Sequence, residues 1–207
     1  MVKGDNRAYV WDRIVSIRPE YPYIERWIPA GARVVDLGCG NGSLLTLLKE
    51  RKNVTELGIE IAPSGVAECR RRGLNAREGR IDVALTDIAD QSFDYAICNV
   101  TLQMVLYPEV TLDEMRRVAR QQIVSFPNFA FVVNRLELLL LGRMPHWGLF
   151  GYTWYNTGHI HQFSLGDFRA LAHARGLTIR QSVFLGKFAN FEPDLLAQTA
   201  ILLLESA

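Results

Sequence analysis

The sequence is short of cysteine, of net charge and of long apolar runs, and each shortage excludes a class of protein. The three cysteines among its 207 residues have no paired spacing, which argues against a disulfide framework and for a reducing compartment. The net charge is only +1, so no strong field favours nucleic acid or a polyanionic substrate. Apolar runs such as Leu138 to Leu141 are too short to span a bilayer, and the N-terminus lacks the apolar core of a signal peptide. We therefore expect a cytoplasmic protein.

What is present is an ordinary globular composition. Hydrophobic residues make up 49% of the chain and charged residues 22%, and the length suits a single domain over residues 1–207. Helical and strand-like segments alternate, and two late strands are predicted at residues 177–185 and 199–204. Ser164-x-x-Asp167 predicts the start of the last long helix.

The most informative stretch runs from Val34 to Gly42 and reads VVDLGCGNG. Its valines favour a buried parallel strand, and its glycines permit a tight turn before a helix that opens at Ser43. Glycine at positions 38 and 40 allows positive φ and lets backbone N–H groups approach a ligand. The stretch therefore predicts a strand, a ligand-binding turn and a helix N-terminus.

The spacing of these glycines distinguishes between nucleotide cofactors. Dinucleotide-binding turns follow G-x-G-x-x-G, whereas this turn reads G-x-G-x-G, with Ser43 where the third glycine would stand. Asp36 places a carboxylate beside the turn, which repels a pyrophosphate and attracts a cationic amino group. S-adenosylmethionine (SAM) carries an ammonium and a sulfonium and no phosphate. The pattern favours SAM over NAD, with a turn that merely connects a strand to a helix as the plain alternative.

A second acid supports nucleoside binding. Glu60 ends the next predicted strand, which begins at Val54, and lies about 20 residues beyond Gly38. An acid in that place can accept hydrogen bonds from both ribose hydroxyls. A solvated carboxylate at a strand end is the alternative interpretation, but the two features in register favour a nucleoside site.

These motifs resemble the SAM-binding motifs of class I methyltransferases. Four later runs narrow the resemblance to the methionine-biosynthesis proteins called MetW: SFDYAI from Ser92, TLQMV from Thr101, IVSFPNF from Ile123 and GRMP from Gly142. The resemblance covers about residues 30–185. It implies a doubly wound, Rossmann-like α/β fold with a seven-stranded sheet whose last strand is antiparallel. It also implies SAM as the cofactor and S-adenosylhomocysteine as the product.

The resemblance further implies a cofactor site along one edge of the sheet. Its ten candidate residues come from strand ends and the loops that follow them: Asp36, Gly38, Cys39, Gly40, Glu60, Ile61, Ile81, Asp82, Asn99 and Gln103. One position departs from the family. Methyltransferases of this class usually have an Asp directly after the glycine that ends the third strand, where it receives the adenine amino group, but Arg80 stands there. Because Arg80 cannot accept a hydrogen bond, this contact must shift to Asp82 or a backbone carbonyl, or be weaker.

Two flanking segments are candidates to cover the site. Residues 1–29 have helical periodicity, and Tyr9 and Trp11 could form a lid over the cofactor or simply pack against the domain. Residues 142–163 form an aromatic-rich cap insertion after the fifth strand, where this fold builds its substrate cover. A partner interface is the competing interpretation, since aromatic residues are enriched in interfaces too.

Methyl transfer leaves little catalytic signature, because the protein supplies mainly proximity and orientation. His159, His161, Tyr155 and Asn128 are the candidates to position or deprotonate an acceptor. No metal site is expected, because the two histidines have no third ligand at a suitable spacing.

The predicted function is transfer of a methyl group from SAM to a small-molecule acceptor, linked to methionine biosynthesis, with no nucleic-acid or membrane partner. MetW proteins are associated with homoserine O-acetyltransferase, so the resemblance carries an alternative: a non-catalytic accessory subunit of that enzyme. An NAD-dependent oxidoreductase is less favoured.

Overall fold

A computed structural model describes residues 17–149 and 151–206. These residues contain a seven-stranded sheet with the order β3-β2-β1-β4-β5-β7-β6. The strands are β1 Arg33–Leu37, β2 Thr55–Glu60, β3 Ala76–Glu78, β4 Phe93–Asn99, β5 Ala119–Pro127, β6 Leu177–Leu185 and β7 Thr199–Ser206.

Helices pack on both faces of this sheet. They are α1 Tyr21–Trp27, α2 Ser43–Lys52, α3 Pro63–Arg71, α4 Pro108–Val118, α5 Val132–Leu141, α6 Leu165–Ala174 and α7 Pro193–Leu196. Successive residues of a strand point to opposite faces. Val34 of β1 therefore packs with α1, α2 and α3 in one apolar cluster, while Val35 and Leu37 pack with α4 and α6 in the other.

The strand pairing confirms the predicted fold. β1 pairs in parallel with β2 and β4, while β7 runs antiparallel to both β5 and β6. The chain order of the strands reverses between β1 and β4, and ligands of open α/β sheets bind at that kind of point, beyond the carboxyl ends of the strands. Asp36, Glu60 and Asn99 all lie at or beside this edge.

Local signals place several helix ends as expected. The hydroxyl of Ser164 accepts the N–H of Asp167 at 3.0 Å, and the Asp167 carboxylate accepts the N–H of Ser164 at 2.9 Å. This reciprocal pair confirms the predicted start of α6. Two elements were not predicted: a 3₁₀ turn at Leu102–Met104 and the short helix α7.

The described residues include only part of the predicted N-terminal cover. Helix α1 belongs to it, whereas Tyr9 and Trp11 lie outside the described residues, so their role as a lid stays a prediction. Over residues 17–149 and 151–206, the helices are too short or too polar for any of them to cross a membrane.

Candidate functional site

The turn after β1 is held close to β2 by backbone hydrogen bonds. The N–H groups of Gly38 and Cys39 donate to the carbonyl of Ile59 at 2.8 and 3.2 Å, and all three glycines of the turn have positive φ. A side chain at Gly38 would not fit, because a Cβ there would lie 2.4 Å from Cγ2 of Thr101. The predicted strand, turn and helix are confirmed, and the backbone of the turn leaves no room for a side chain at this point.

Glu60 connects the turn to the start of α3. Its Oε2 accepts the N–H of Gly40 at 2.9 Å, and its Oε1 accepts the N–H of Ala62 at 2.9 Å. An acid at the end of the second strand is the group that accepts ribose hydroxyls in nucleotide-binding α/β folds, and Glu60 stands at that position. The N–H of Gly40, in contrast, is already directed at a carboxylate, which disfavours a phosphate at this turn.

Asp36 is a buried carboxyl group with an unused oxygen. Its exposed fraction is 2%, and among the described residues Oδ1 has no hydrogen-bond partner. Burial, and next the negative charge of Glu60, raise the pKa of Asp36 to about 7, although Arg18 opposes the shift. A buried polar atom without a partner is costly. The site therefore fits a ligand that brings a cationic hydrogen-bond donor, as the ammonium of SAM would.

Arg80 forms an ion pair with Asp82, the residue that could have received the adenine amino group in its place. Its guanidinium donates two hydrogen bonds of 2.9 Å to the carboxylate of Asp82, which also accepts the N–H of Leu106 at 2.8 Å. Burial acts to raise the pKa of Asp82, but these hydrogen bonds outweigh it and the pKa is lowered. About four lone-pair positions exist on a carboxylate, and three bonds already occupy Asp82. Little of this side chain is left for an adenine amino group.

Ile61, Ile81, Cys39 and Asn99 are further candidates for the cofactor site. Ile61 follows Glu60 and is partly exposed, whereas Ile81 is buried in the core. Sγ of Cys39 lies 3.8 Å from Sγ of Cys69, so its side chain packs between the turn and α3. Oδ1 of Asn99 accepts the hydroxyl of Ser125 at 2.6 Å.

A cavity lies beside this site, at the carboxyl end of β5. The described residues in its walls have aromatic, histidine, amide and apolar side chains and include no Asp, Glu, Lys or Arg: Gln103, Pro127, Phe129, Trp147, Gly148, Leu149, His159, His161, Gln162 and Phe163. Most of them come from the predicted cap insertion. The cavity is thus mainly apolar, with a few polar groups, as small-molecule sites usually are.

Gln103 links this cavity to the end of β4. Its side-chain amide donates to the carbonyl of Val100 at 3.1 Å and lies 3.5 Å from Nε2 of His159, while Oε1 is buried without a partner among the described residues. Its backbone carbonyl accepts the N–H groups of Ile160 and His161, both at 3.0 Å. Gln103 therefore lies on the acceptor side of the site and anchors the segment that carries both histidines.

Two of the four predicted acceptor residues lie elsewhere. Asn128 is buried, and its Oδ1 accepts the N–H groups of Ala130 and Leu165 while its Nδ2 donates to the carbonyls of Asp194 and Ala197. The side-chain amide is thus taken up by hydrogen bonds that join the backbone after β5 to α6 and α7. Tyr155 has an exposed fraction of 71% and packs edge-on against Trp154, outside the cavity wall. His159 and His161 do line the cavity.

Sequence reasoning also missed contributors. Thr101 closes the space against Gly38, and Phe129 and Phe163 line the cavity. Thr101 and Phe129 belong to the TLQMV and IVSFPNF runs, and Phe163 is the last residue of the predicted cap insertion, so these segments were the available signal. Within residues 17–149 and 151–206, no group of three or more His, Cys, Asp or Glu side chains is arranged to hold a metal ion.

Comparison with known proteins agrees with this geometry. The family model of the methionine biosynthesis protein MetW matches residues 18–204. A bifunctional methionine biosynthesis protein MetXA/MetW from Rhodopirellula baltica is 36% identical over 190 residues, covering 84% of this chain and 30% of the relative. The chain thus spans less than a third of that relative.

Solved structures show the same fold at low identity. A SAM-dependent methyltransferase from Thermotoga maritima matches with a TM-score of 0.66 and 18% identity, covering 91% of this chain and 87% of the other. A Haloferax volcanii methyltransferase, solved in complex with the Trm112 methyltransferase activator, matches with a TM-score of 0.64 and 17% identity, covering 86% and 84%. The fold is therefore that of class I SAM-dependent methyltransferases, and the chain belongs to the MetW family.

Proposed function

We propose that this protein binds SAM at the turn after β1 and transfers its methyl group to a small-molecule acceptor held in the neighbouring cavity, in connection with methionine biosynthesis. The observation that carries the proposal is the buried Oδ1 of Asp36, which has no hydrogen-bond partner among residues 17–149 and 151–206 and lies beside the Gly38–Gly40 turn and Glu60. Together these groups offer one site for a cation and one for hydroxyls, and little for a phosphate.

Each residue has a distinct role in this proposal. Asp36 receives the ammonium of the cofactor, and Gly38 permits close approach of the backbone. Glu60, which is oriented by the N–H groups of Gly40 and Ala62, accepts the ribose hydroxyls. Ile61 contributes apolar contact to the adenine, whose amino group binds a backbone carbonyl rather than Asp82.

The acceptor side is formed by Gln103, His159 and His161. When bound, SAM supplies an activated methyl group, so the protein has to hold the acceptor in line with it and exclude water. The amide of Gln103 sets the position of His159, while Nε2 of His161 lies 3.3 Å from the carbonyl of Leu106. Imidazole is the side chain that most often acts as a general base in enzymes, and both rings line the cavity, so we assign His159 and His161 to orienting or deprotonating the acceptor.

Calorimetry on Glu60→Ala tests the cofactor site. The substitution removes hydrogen bonds to a charged acceptor, and each bond of this kind contributes about 1.5–3 kcal/mol. We expect at least a tenfold loss of affinity for SAM and S-adenosylhomocysteine, and no binding of NADH by either protein. The matched control is Glu78→Ala, because Glu78 is the exposed register partner of Glu60 on β3. Unchanged affinity in a folded Glu60→Ala protein, or tight NADH binding, contradicts the assignment.

A second function is favoured by one specific observation. The Rhodopirellula baltica relative carries MetXA and MetW in one chain, and such fusion holds two proteins at a high effective concentration. This supports the accessory function, in which the protein acts as a partner subunit of homoserine O-acetyltransferase. A labelled-methyl transfer assay on His159→Ala and His161→Ala separates the two functions, because only the methyltransferase needs these side chains.

A further inference from the structure

Four consecutive leucines at the C-terminal end of α5 are exposed to solvent. The exposed fractions of Leu138, Leu139, Leu140 and Leu141 are 50%, 78%, 72% and 64%. With 3.6 residues per turn, four neighbouring positions surround the helix axis. This end of α5, which we call the leucine end, is therefore apolar on all sides. A helix of that kind is normally buried.

Other exposed apolar side chains are close to the leucine end in sequence. Leu136 precedes it on α5, and Met144 and Trp147 follow after Gly142 ends the helix; all three are at least 40% exposed. The only buried side chain of α5 is Asn134, which donates to the carbonyl of Phe129 at 2.9 Å. The first half of α5 is thus tied to the domain, and the second half projects from it. Contiguous apolar surface of this kind marks an interaction site.

The charges beside the leucine end favour a protein rather than a membrane as its occupant. Arg135 donates to the carbonyls of Ala130 and Asp194, and Glu137 pairs with His146 at 2.8 Å. Both charged side chains of α5 are therefore engaged within the domain. A helix that binds an anionic membrane surface usually carries several free basic residues on its polar face, and α5 has no such face.

A second copy of this chain fits the leucine end poorly. A helix that is apolar all round needs a groove, and a helix with its side chains is about 10 Å across. The pocket beside the cofactor site is lined by ten of the described residues, which suits a small molecule and not two turns of such a helix. The fusion of MetW to MetXA in the relative favours a different protein as the one that brings the groove.

We propose that the leucine end of α5 docks into an apolar groove of homoserine O-acetyltransferase. This inference rests on the accessory function proposed above, and it names the surface that function would use. The fused relative supports the choice of partner, because its chain holds the MetW part, 30% of its length, beside MetXA. Amphipathic and apolar helices commonly bind in this manner, with side chains three or four residues apart as anchors; here Leu136, Leu139 and Leu140 have that spacing.

The test uses Leu139→Asp combined with Leu140→Asp. These are the two most exposed of the four leucines, so the core is left intact. The matched control is Val83→Asp, which charges an exposed apolar residue, 41% exposed, in the loop after β3. Binding to purified homoserine O-acetyltransferase from the same organism is measured by calorimetry, and the mass of each variant by light scattering. Circular dichroism and the affinity for S-adenosylhomocysteine report whether the variants are folded.

We expect the unaltered protein and Val83→Asp to bind the acetyltransferase alike, and the double variant to bind at least 30-fold more weakly. That loss equals about 2 kcal/mol at 1.4 kcal/mol per tenfold change, the size of an interface hot spot. Equal binding by the double variant overturns the surface and leaves the accessory function standing. No binding by the unaltered protein overturns both, while the Glu60→Ala experiment still judges the methyltransferase. A dimer that the double variant dissolves, or binding to phosphatidylglycerol vesicles that it abolishes, assigns the leucine end to those occupants instead.

Discussion

Cofactor affinity should fall steeply as the pH drops below 7, because the carboxyl group that faces the cationic ligand is itself half protonated there. Burial and the nearby charge of Glu60 raise the pKa of Asp36 to about 7, and its Oδ1 has no partner among the described residues. Only the ionised form attracts an ammonium group. Binding of SAM should therefore require, or cause, loss of the Asp36 proton.

The magnitude follows from the pKa. With a value of about 7, Asp36 is about three-quarters ionised at pH 7.5 and about 3% ionised at pH 5.5. The affinity for SAM should drop about 25-fold across this range, which is about 2 kcal/mol. The α-amino group of the cofactor, with an ordinary pKa of about 7.7–8.0, loses at most about two-fifths of its charge by pH 7.5, so it reduces the expected change by less than twofold.

The assay is calorimetry between pH 5.5 and 7.5 in buffers of different ionisation enthalpy, which also counts the protons released. Asp36→Asn is the matched variant, since it keeps the shape of the side chain and cannot ionise. It should bind SAM weakly at pH 7.5 and lose most of the pH dependence. An unaltered protein with flat affinity over this range, or an Asp36→Asn protein with the same slope, would refute the reasoning.

The free energy of unfolding should depend on pH with the opposite sign to the cofactor affinity. The folded pKa of Asp36 lies above its unfolded value of 3.8, so without cofactor this group lowers the free energy of unfolding as the pH rises from about 4 to 7. Chemical denaturation should therefore find Asp36→Asn more stable than the unaltered protein at pH 7.5 and similar to it at pH 4. That result is expected if Asp36 serves ligand binding and does not stabilise the fold.

Two further predictions concern the same edge of the sheet. Gly38→Ala should abolish SAM binding, whereas Gly31→Ala should only lower stability. Both glycines have similar positive φ, +81° and +76°, but only at position 38 would a Cβ meet Thr101; equal loss of affinity in the two variants would mean that backbone strain alone is responsible. Arg80→Ala frees two acceptor positions on Asp82. The binding of S-adenosylhomocysteine should therefore strengthen relative to that of its inosine analogue by about 0.5–1.5 kcal/mol. Competition calorimetry measures that preference, and an unchanged ratio would show that Asp82 does not reach the base even when Arg80 is absent.

The parts of the fold that sequence predicts well are those whose causes are local. The β1 valines, the glycines of the turn and the Ser164–Asp167 pair each act within a few residues, so their elements appear at the expected positions. The order and direction of the strands came from the family resemblance rather than from periodicity, which does not encode the pairing of distant strands.

The residues of the candidate site also differ in whether their arrangement has a local cause or depends on distant parts of the chain. Asp36 and Glu60 belong to neighbouring parallel strands, so their proximity follows from topology. The role of Asn128 depends on carbonyls of residues 194 and 197, far along the chain, and no nearby residue signals that its amide is already occupied. The pairing of Arg80 with Asp82 is close in sequence, but its geometry depends on the orientation of a loop that also meets Leu106.

Trp147 contacts both the acceptor cavity and the segment before α5, so a variant at this residue cannot separate the two proposed functions. Trp147 lines the acceptor cavity, and its ring packs edge-on against that of Phe131, the residue just before α5, with the ring centroids 5.6 Å apart. The N-terminal end of α5 thus contacts one wall of the cavity, so a partner docked on this helix could alter methyl transfer without touching the cofactor. For the same reason, loss of either activity in a Trp147 variant has two explanations. Leu139 and His159 each belong to one surface only, and substitutions there distinguish a methyltransferase from an accessory subunit and from a protein that is both.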